Sequence, residues 1–359
     1  MRATHAALGG DVAGDLRLSV LDLVPVHRGQ TSADAVAASV ALVQRADALG
    51  FHRYWFAEHH NMPSVASTSP AVLIGVAAAS TQQIRVGSGG VMLPNHAPFV
   101  VAEQFAALEA VAPGRVDLGI GRAPGSDQVI TALLHQYGVT SEVDRFPSHV
   151  SDILAMLGRE GAQLNLRNGQ VYQVRATPVA SGRPEVWLLG SSDYSATLAA
   201  QMGLPYVFAN HFSGEGIERA LELYRSNFRA SVWAEAPRTF LTVNASVADT
   251  AEEAEARALP NLNQMARLRT GKPLSTLERV EEAEQYQRDP AEQRLVDVMR
   301  SRWVIGDAAG AAATIRELAA RFHVDEVMVS PAAGARIDEP PYRSTARERT
   351  LELLAKELL

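Results

Sequence analysis

With 359 residues, of which 47% are hydrophobic and 20% charged, the chain carries enough apolar material for a full core and is not a disordered protein. A formal net charge of −7 argues against a surface built for phosphate backbones or anionic lipid, so neither nucleic acid nor membrane is an expected partner. Cysteine is absent, which excludes a disulfide framework, a thiolate metal site and a cysteine nucleophile.

Residues 1–15 are rich in Ala and Gly but lack the basic start and apolar stretch of a secretory signal, and they read as a flexible extension. No window reaches the roughly 20 apolar residues needed to cross a bilayer, so a cytoplasmic protein is expected. From Leu16 the pattern alternates between strand-like runs and amphipathic helical stretches. The spacing predicts a strand over 16–24, a helix over 32–49 with Ser32 as N-cap, a strand over 53–56, a helix over 69–80 and a strand over 84–88. A helix over 98–111, a strand over 116–120, a helix over 145–157 and a strand over 186–189 follow, then a helix over 194–202 and strands over 206–209, 240–245 and 325–329. A helix over 347–358 closes the chain. Eight strands separated by helices, with no Pro/Gly/Ser linker, fit a single (β/α)₈ TIM barrel over 16–359 better than a doubly wound sheet. The polar region of about 250–302 is too long for a plain connection and reads as a helical insertion between strands seven and eight: a lid, a subunit contact, or a solvated helix pair without a role.

The second strand ends as Tyr54-Trp55-Phe56-Ala57-Glu58-His59-His60, placing one carboxylate and two imidazoles where barrel enzymes keep their chemistry. Adjacent strand residues point to opposite faces, and no His-x-His or His-Glu-x-x-His pattern accompanies them, so no metal site is expected. Gly87-Ser88-Gly89-Gly90 ends the third strand, where missing side chains permit either a bulge or close approach of a flat ligand. Arg122 at the end of the fourth strand and Arg145 before the next helix can each offer a guanidinium fork to a phosphate, or serve as surface ion-pair partners. The fifth strand exits as Gly190-Ser191-Ser192-Asp193-Tyr194-Ser195, a helix start with more hydroxyls than capping requires and a natural phosphate seat.

Taken in order, 56–60, 87–94 (GSGGVMLP), 114–122 (GRVDLGIGR) and 188–192 with 199–205 (AAQMGLP) resemble the strand endings of the bacterial luciferase-like family of flavin-dependent monooxygenases, nearly the whole chain from Leu18 onward. That resemblance implies reduced FMN at the C-terminal face of the barrel, made by a separate NAD(P)H-dependent flavin reductase. It further implies O₂ addition to give a C4a-hydroperoxyflavin and oxygen transfer to a small organic substrate. It places His59 as the catalytic histidine with Glu58 beside it and a cis peptide at Gly89–Gly90. Phosphate contacts fall to Arg122, Arg145, Ser191, Ser192 and Ser195, and the substrate side to His211 and Phe212. A homodimer is also implied. Where the luciferase subunit carries a reactive cysteine this chain has Gly121, so light emission does not follow. The alternatives are an F420-dependent oxidoreductase of the same fold, a metal-dependent barrel hydrolase using His59 and His60, and a non-catalytic flavin-binding protein.

Overall fold

Short β-branched and aromatic runs alternate with stretches of helical periodicity, and the chain folds accordingly. The computed structural model describes residues 16–137, 143–212 and 214–359; the extension expected over 1–15 lies outside them. In chain order the first elements are β1 (Arg17–Asp22), α1 (Ser32–Ala48), β2 (Arg53–Phe56), α2 (Pro70–Ser80), β3 (Arg85–Ser88), β4 (Val91–Met92) and α3 (Pro98–Val111). Next come β5 (Val116–Gly121), α4 (Gln128–Tyr137), α5 (Phe146–Leu157), the hairpin β6 (Ala162–Asn165) and β7 (Val171–Val174), β8 (Glu185–Gly190), α6 (Asp193–Met202), β9 (Tyr206–Phe208) and α7 (Ile217–Ser226). The remainder holds β10 (Thr239–Val247), α8 (Ala251–Thr270), α9 (Val280–Gln285), α10 (Pro290–Arg300), β11 (Val304–Gly306), α11 (Ala308–Phe322), β12 (Glu326–Pro331) and α12 (Thr345–Leu358).

Strands β1, β2, β3, β5, β8, β9, β10 and β12 pair in parallel, each with the next, and β12 returns to β1, so the sheet closes as a TIM barrel. β4 adds beside β5 and β11 beside β10. Helix α1 is capped by Thr31 rather than Ser32, because Thr31 and Asp34 complete a reciprocal box in which each side chain accepts the other's backbone N–H.

A parallel barrel buries both faces of its strands, and the apolar residues divide into two layers. Outside, strand residues such as Leu18, Val20, Val86 and Leu118 pack under the helices. Inside, Leu21, Trp55, Trp187, Val207, Phe240 and Met328 fill the barrel, with Trp55, Trp187 and Phe240 in mutual edge or tilted contact at centroid distances of 5.0–5.7 Å. Below them buried Arg53 bonds Glu326 at 2.7 Å and Asp117 at 2.8 Å, and its guanidinium lies 4.9 Å from the Trp187 ring centre. Two carboxylates around one guanidinium are tolerable in the interior because Arg85 also donates to Asp117, at 3.0 Å, and supplies the second positive charge. The barrel is thereby plugged at the strands' N-terminal ends and left to work at the other.

Candidate active site

Beyond β2 the chain leaves the barrel as Ala57-Glu58-His59-His60. Glu58 is fully buried; its Oε1 accepts from Nε2 of His60 and of His96, both at 2.8 Å, and its Oε2 accepts from the Met92 backbone N–H at 3.0 Å. Burial pushes this carboxyl up, but the two imidazole bonds and the backbone bond outweigh it and hold it at about 2. An ionised carboxylate only accepts, so both imidazoles turn an Nε2–H toward it. His60 donates its backbone N–H to Gly125 O at 2.8 Å, and Gly125, with φ +63°, lies so close that a Cβ there would come within 2.7 Å of Glu58 O. Glu58 is thus a buried anionic post that ties its own loop to the segment carrying Met92 and His96, while the His60 backbone ties that loop to Gly125.

His59 is turned the other way. Its backbone N–H bonds Ser67 O at 3.0 Å, while its imidazole Nδ1 is buried without a hydrogen-bond partner among the described residues. Burial lowers its pKa, opposed by Glu58 and reinforced by His60, so the ring is neutral at pH 7. Close by is His211, held down to about 4 by burial and then by His59. Its Nδ1 lies 3.0 Å from Thr242 Oγ1, and Asn244 Nδ2 donates to its carbonyl at 2.7 Å. Phe212 is half exposed on the outer side of this loop, under Arg269 of α8, which donates to its carbonyl.

A second corner forms where β5 and β8 end. The Arg122 guanidinium lies 4.1 Å over the ring of Tyr194, in the first turn of α6, and pairs with no carboxylate among the described residues. Ser191 and Ser192 are exposed, and Ser192, the N-cap of α6, makes no side-chain cap bond. Asp193 is answered by Arg219 at 2.6 Å. The corner therefore offers an unpaired guanidinium, two uncommitted hydroxyls and the free N–H groups of a helix start, which together fit an anion with several acceptor oxygens. Ser195 is already engaged: its hydroxyl donates to Ser192 O at 2.8 Å and sits 3.2 Å from Tyr206 Oη. Arg145 is exposed in a 3₁₀ turn before α5, and no contact joins it to Arg122 or to the α6 start.

The Gly89–Gly90 peptide is cis. A Cβ on residue 89 would come within 2.6 Å of Leu21 Cδ1, and one on residue 90 within 2.9 Å of Gly119 O, so these glycines also serve the packing of β3 against β1 and β5. No group of His, Cys, Asp and Glu among the described residues could hold a metal ion. A cavity of about 600 Å³, lined by Ala106, Glu109, Met156, Arg175 and Gly182, lies beside α3 and α5 and contains none of these residues. Sequence reasoning passed over His96, Tyr194 and Thr242. For His96 a signal existed, a histidine just beyond the third strand's glycines; the partners of Tyr194 and Thr242 are set only by the closed barrel.

A family model described as luciferase-like monooxygenase matches residues 16–326. A protein of Escherichia coli strain K12 named luciferase-like monooxygenase is 39% identical over 315 residues, covering 88% of this chain and 91% of that one. N-acetyl-S-alkylcysteine monooxygenase of Bacillus subtilis strain 168 is 33% identical over 315 residues, covering 88% and 92%. The crystal structure of apo-MsnO8 superposes with a TM-score of 0.83 at 30% identity, covering 96% of this chain and 99% of that one. More distant barrels share the fold alone. The oxygenating constituent of 3,6-diketocamphane monooxygenase, in complex with FMN, gives 0.66 at 18% identity over 96% and 98% of the chains. A coenzyme F420-dependent tetrahydromethanopterin reductase gives 0.65 at 16% over 96% and 99%.

Proposed function

The chain belongs to the luciferase-like monooxygenase family, and from that premise we propose that it oxygenates a small organic substrate using reduced FMN and O₂. The observation that carries the reading is the corner of Arg122, Ser191 and Ser192, whose unpaired cation and free donors suit a phosphate monoester. Barrels of this fold take either FMN or F420, so the fold does not choose between them. The proposed reaction favours FMN: a deazaflavin passes hydride and does not activate O₂, whereas a monooxygenase needs a cofactor that does. Reduced FMN supplies two electrons, so that one atom of O₂ enters the product and the other leaves as water.

The protein's own part is to bind, orient and manage protons. Arg122, Ser191 and Ser192 hold the phosphate; Arg145 and Ser195 are left out of that assignment. His59, neutral and with an unmet Nδ1, holds a proton beside the reacting oxygen in a site shielded from water. Glu58 does not reach the mouth and acts by keeping His60 and His96 in place. His211 and Phe212 stand on the substrate side. The oxidised cofactor must be reduced for each turnover, the task of a separate NAD(P)H-dependent flavin reductase. A second copy of the chain covers α2 and α3, whose outer faces expose Val72, Val76, Phe99, Val100 and Val111, an apolar surface that a lone barrel leaves in water.

Anaerobic titration of the flavin-free protein with reduced FMN and with reduced F420, followed by O₂, tests the reading. Tighter binding of reduced FMN and a rate of O₂ consumption altered from that of free reduced FMN are expected. Preference for F420, or binding that leaves the oxidation of FMN unchanged, would favour an F420 enzyme or a carrier instead.

A further inference from the structure

Thr242, on β10, lies against the loop that carries His211, and its Oγ1 has three polar neighbours: the His211 backbone N–H at 3.3 Å, His211 Nδ1 at 3.0 Å and the Phe208 carbonyl at 3.1 Å. A hydroxyl has one hydrogen and two lone pairs. The backbone N–H takes one lone pair. If the hydrogen goes to Phe208 O, the other lone pair accepts an Nδ1–H, and all three contacts become hydrogen bonds. If the hydrogen goes to Nδ1 instead, an oxygen lone pair faces a carbonyl oxygen at 3.1 Å, which sets two acceptors against each other. The first arrangement wins, and it fixes the tautomer: hydrogen on Nδ1, lone pair on Nε2.

The ring is also held in place. Asn244 Nδ2 donates to His211 O at 2.7 Å and Asn210 Nδ2 to Thr242 O at 2.9 Å, locking the loop to β10 on both sides of the imidazole. Burial, then His59, keeps the ring neutral down to about pH 4, so Nε2 retains its lone pair. That nitrogen has no hydrogen-bond partner among the described residues. His211 borders a hollow of about 20 Å³ whose lining mixes apolar side chains, Val243, Met265, Met299 and Trp303 among them, with the polar Asn244, Arg269 and Arg302. Such a volume takes one hydroxyl or N–H group.

We propose that His211 Nε2 is a preset hydrogen-bond acceptor of the substrate subsite, selecting substrates that carry a hydroxyl or N–H donor, with Thr242 as the positioning residue that sets its tautomer. This rests on placing His211 on the substrate side. A site that offers a fixed acceptor rejects the analogue lacking the donor, because the acceptor is then left unpaired.

The test uses flavin-free protein labelled with ¹⁵N in its histidines, with the His211 signals identified by their loss in His211→Asn. Long-range ¹H–¹⁵N spectra are expected to show hydrogen on Nδ1 and a bare Nε2 in the native protein and in Thr242→Ser, with that preference lost in Thr242→Val. As probes, p-cresol should shift the Nε2 resonance and bind roughly tenfold tighter than 4-methylanisole, which has the same body without the donor, and the preference should collapse in Thr242→Val. A native protein with hydrogen on Nε2 would overturn the tautomer. Equal binding of the two probes, or binding of neither, would overturn the substrate class. Because no flavin is present, a correct tautomer together with no affinity for reduced FMN would sink the proposed function and leave the assignment of His211 standing.

Discussion

Glu58 and His59 are neighbours in sequence and opposites in role, because consecutive side chains at a strand end point to opposite sides. One is a buried anion spent on holding loops; the other is a neutral imidazole whose buried Nδ1 has no hydrogen-bond partner among the described residues. Replacing Glu58 by Gln puts an amide N–H against groups that are themselves donors, and should cost about 2–4 kcal/mol in urea unfolding. A loss under 1 kcal/mol would mean that the carboxylate is not the post described. His59→Asn should keep the affinity for reduced FMN within about threefold, yet cut product formed per reduced FMN oxidised about tenfold, as expected of a group that handles a proton rather than binds. An unchanged ratio would remove His59 from that role. Both residues were legible in the sequence because a strand that stops on titratable groups is itself a signal. The partners were not: His96 meets Glu58 across 38 residues of chain and His211 meets Thr242 across 31, distances that only the closed sheet bridges.

At the scale of elements, the proposed phosphate corner depends on how closely α6 approaches β8. A Cβ at residue 190 would come within 2.2 Å of Ser195 Oγ and 2.5 Å of Ser195 Cβ, so the turn from strand to helix requires glycine there. Gly190→Ala should push the α6 start outward, costing about 1–3 kcal/mol in stability and about tenfold in affinity for FMN. A variant that is destabilised yet binds FMN normally would separate the helix start from phosphate binding. The barrel strands and most of their helices were readable because both faces of each strand are buried and their runs are nearly continuous in apolar residues. The hairpin β6–β7 was not, since its residues are largely exposed and show no core-facing alternation; nor was β11, three residues held by pairing with β10. Helices α8 and α10 pack on each other through Ala258, Leu262, Ala266, Val296 and Met299, while the segment between α8 and α9 is strapped to the β1–α1 loop by Leu277, whose N–H bonds Val26 O at 2.8 Å and whose carbonyl accepts from Arg28 N–H at 2.7 Å.

Across the whole molecule, the barrel is closed by charge at the strands' N-terminal ends, and its buried histidines give it a defined response to acid. His27 and His211 are each held down to about 4, mainly by burial, against 6.5 for the ordinary group. Between those values the unfolded chain binds protons that the folded chain refuses, so stability falls as pH drops from about 6.5 to about 4, by up to about 3 kcal/mol for each histidine. Glu58, held at about 2, extends the loss as pH falls from its ordinary 4.5. Urea midpoints that stay level between pH 7 and pH 4.5 would contradict this, and His27→Asn should flatten the slope by removing one of the proton uptakes. The central claim, that the mouth is a site for reduced FMN with its phosphate at Arg122 and the α6 start, is tested most directly by comparing the affinities of reduced FMN and reduced riboflavin for the native protein and for Arg122→Ala. Reduced FMN should bind the native protein at least about tenfold more tightly than reduced riboflavin, and Arg122→Ala should erase that difference while leaving riboflavin nearly unaffected. Equal affinity for the two ligands in the native protein, or an equal loss of both in the variant, would contradict it.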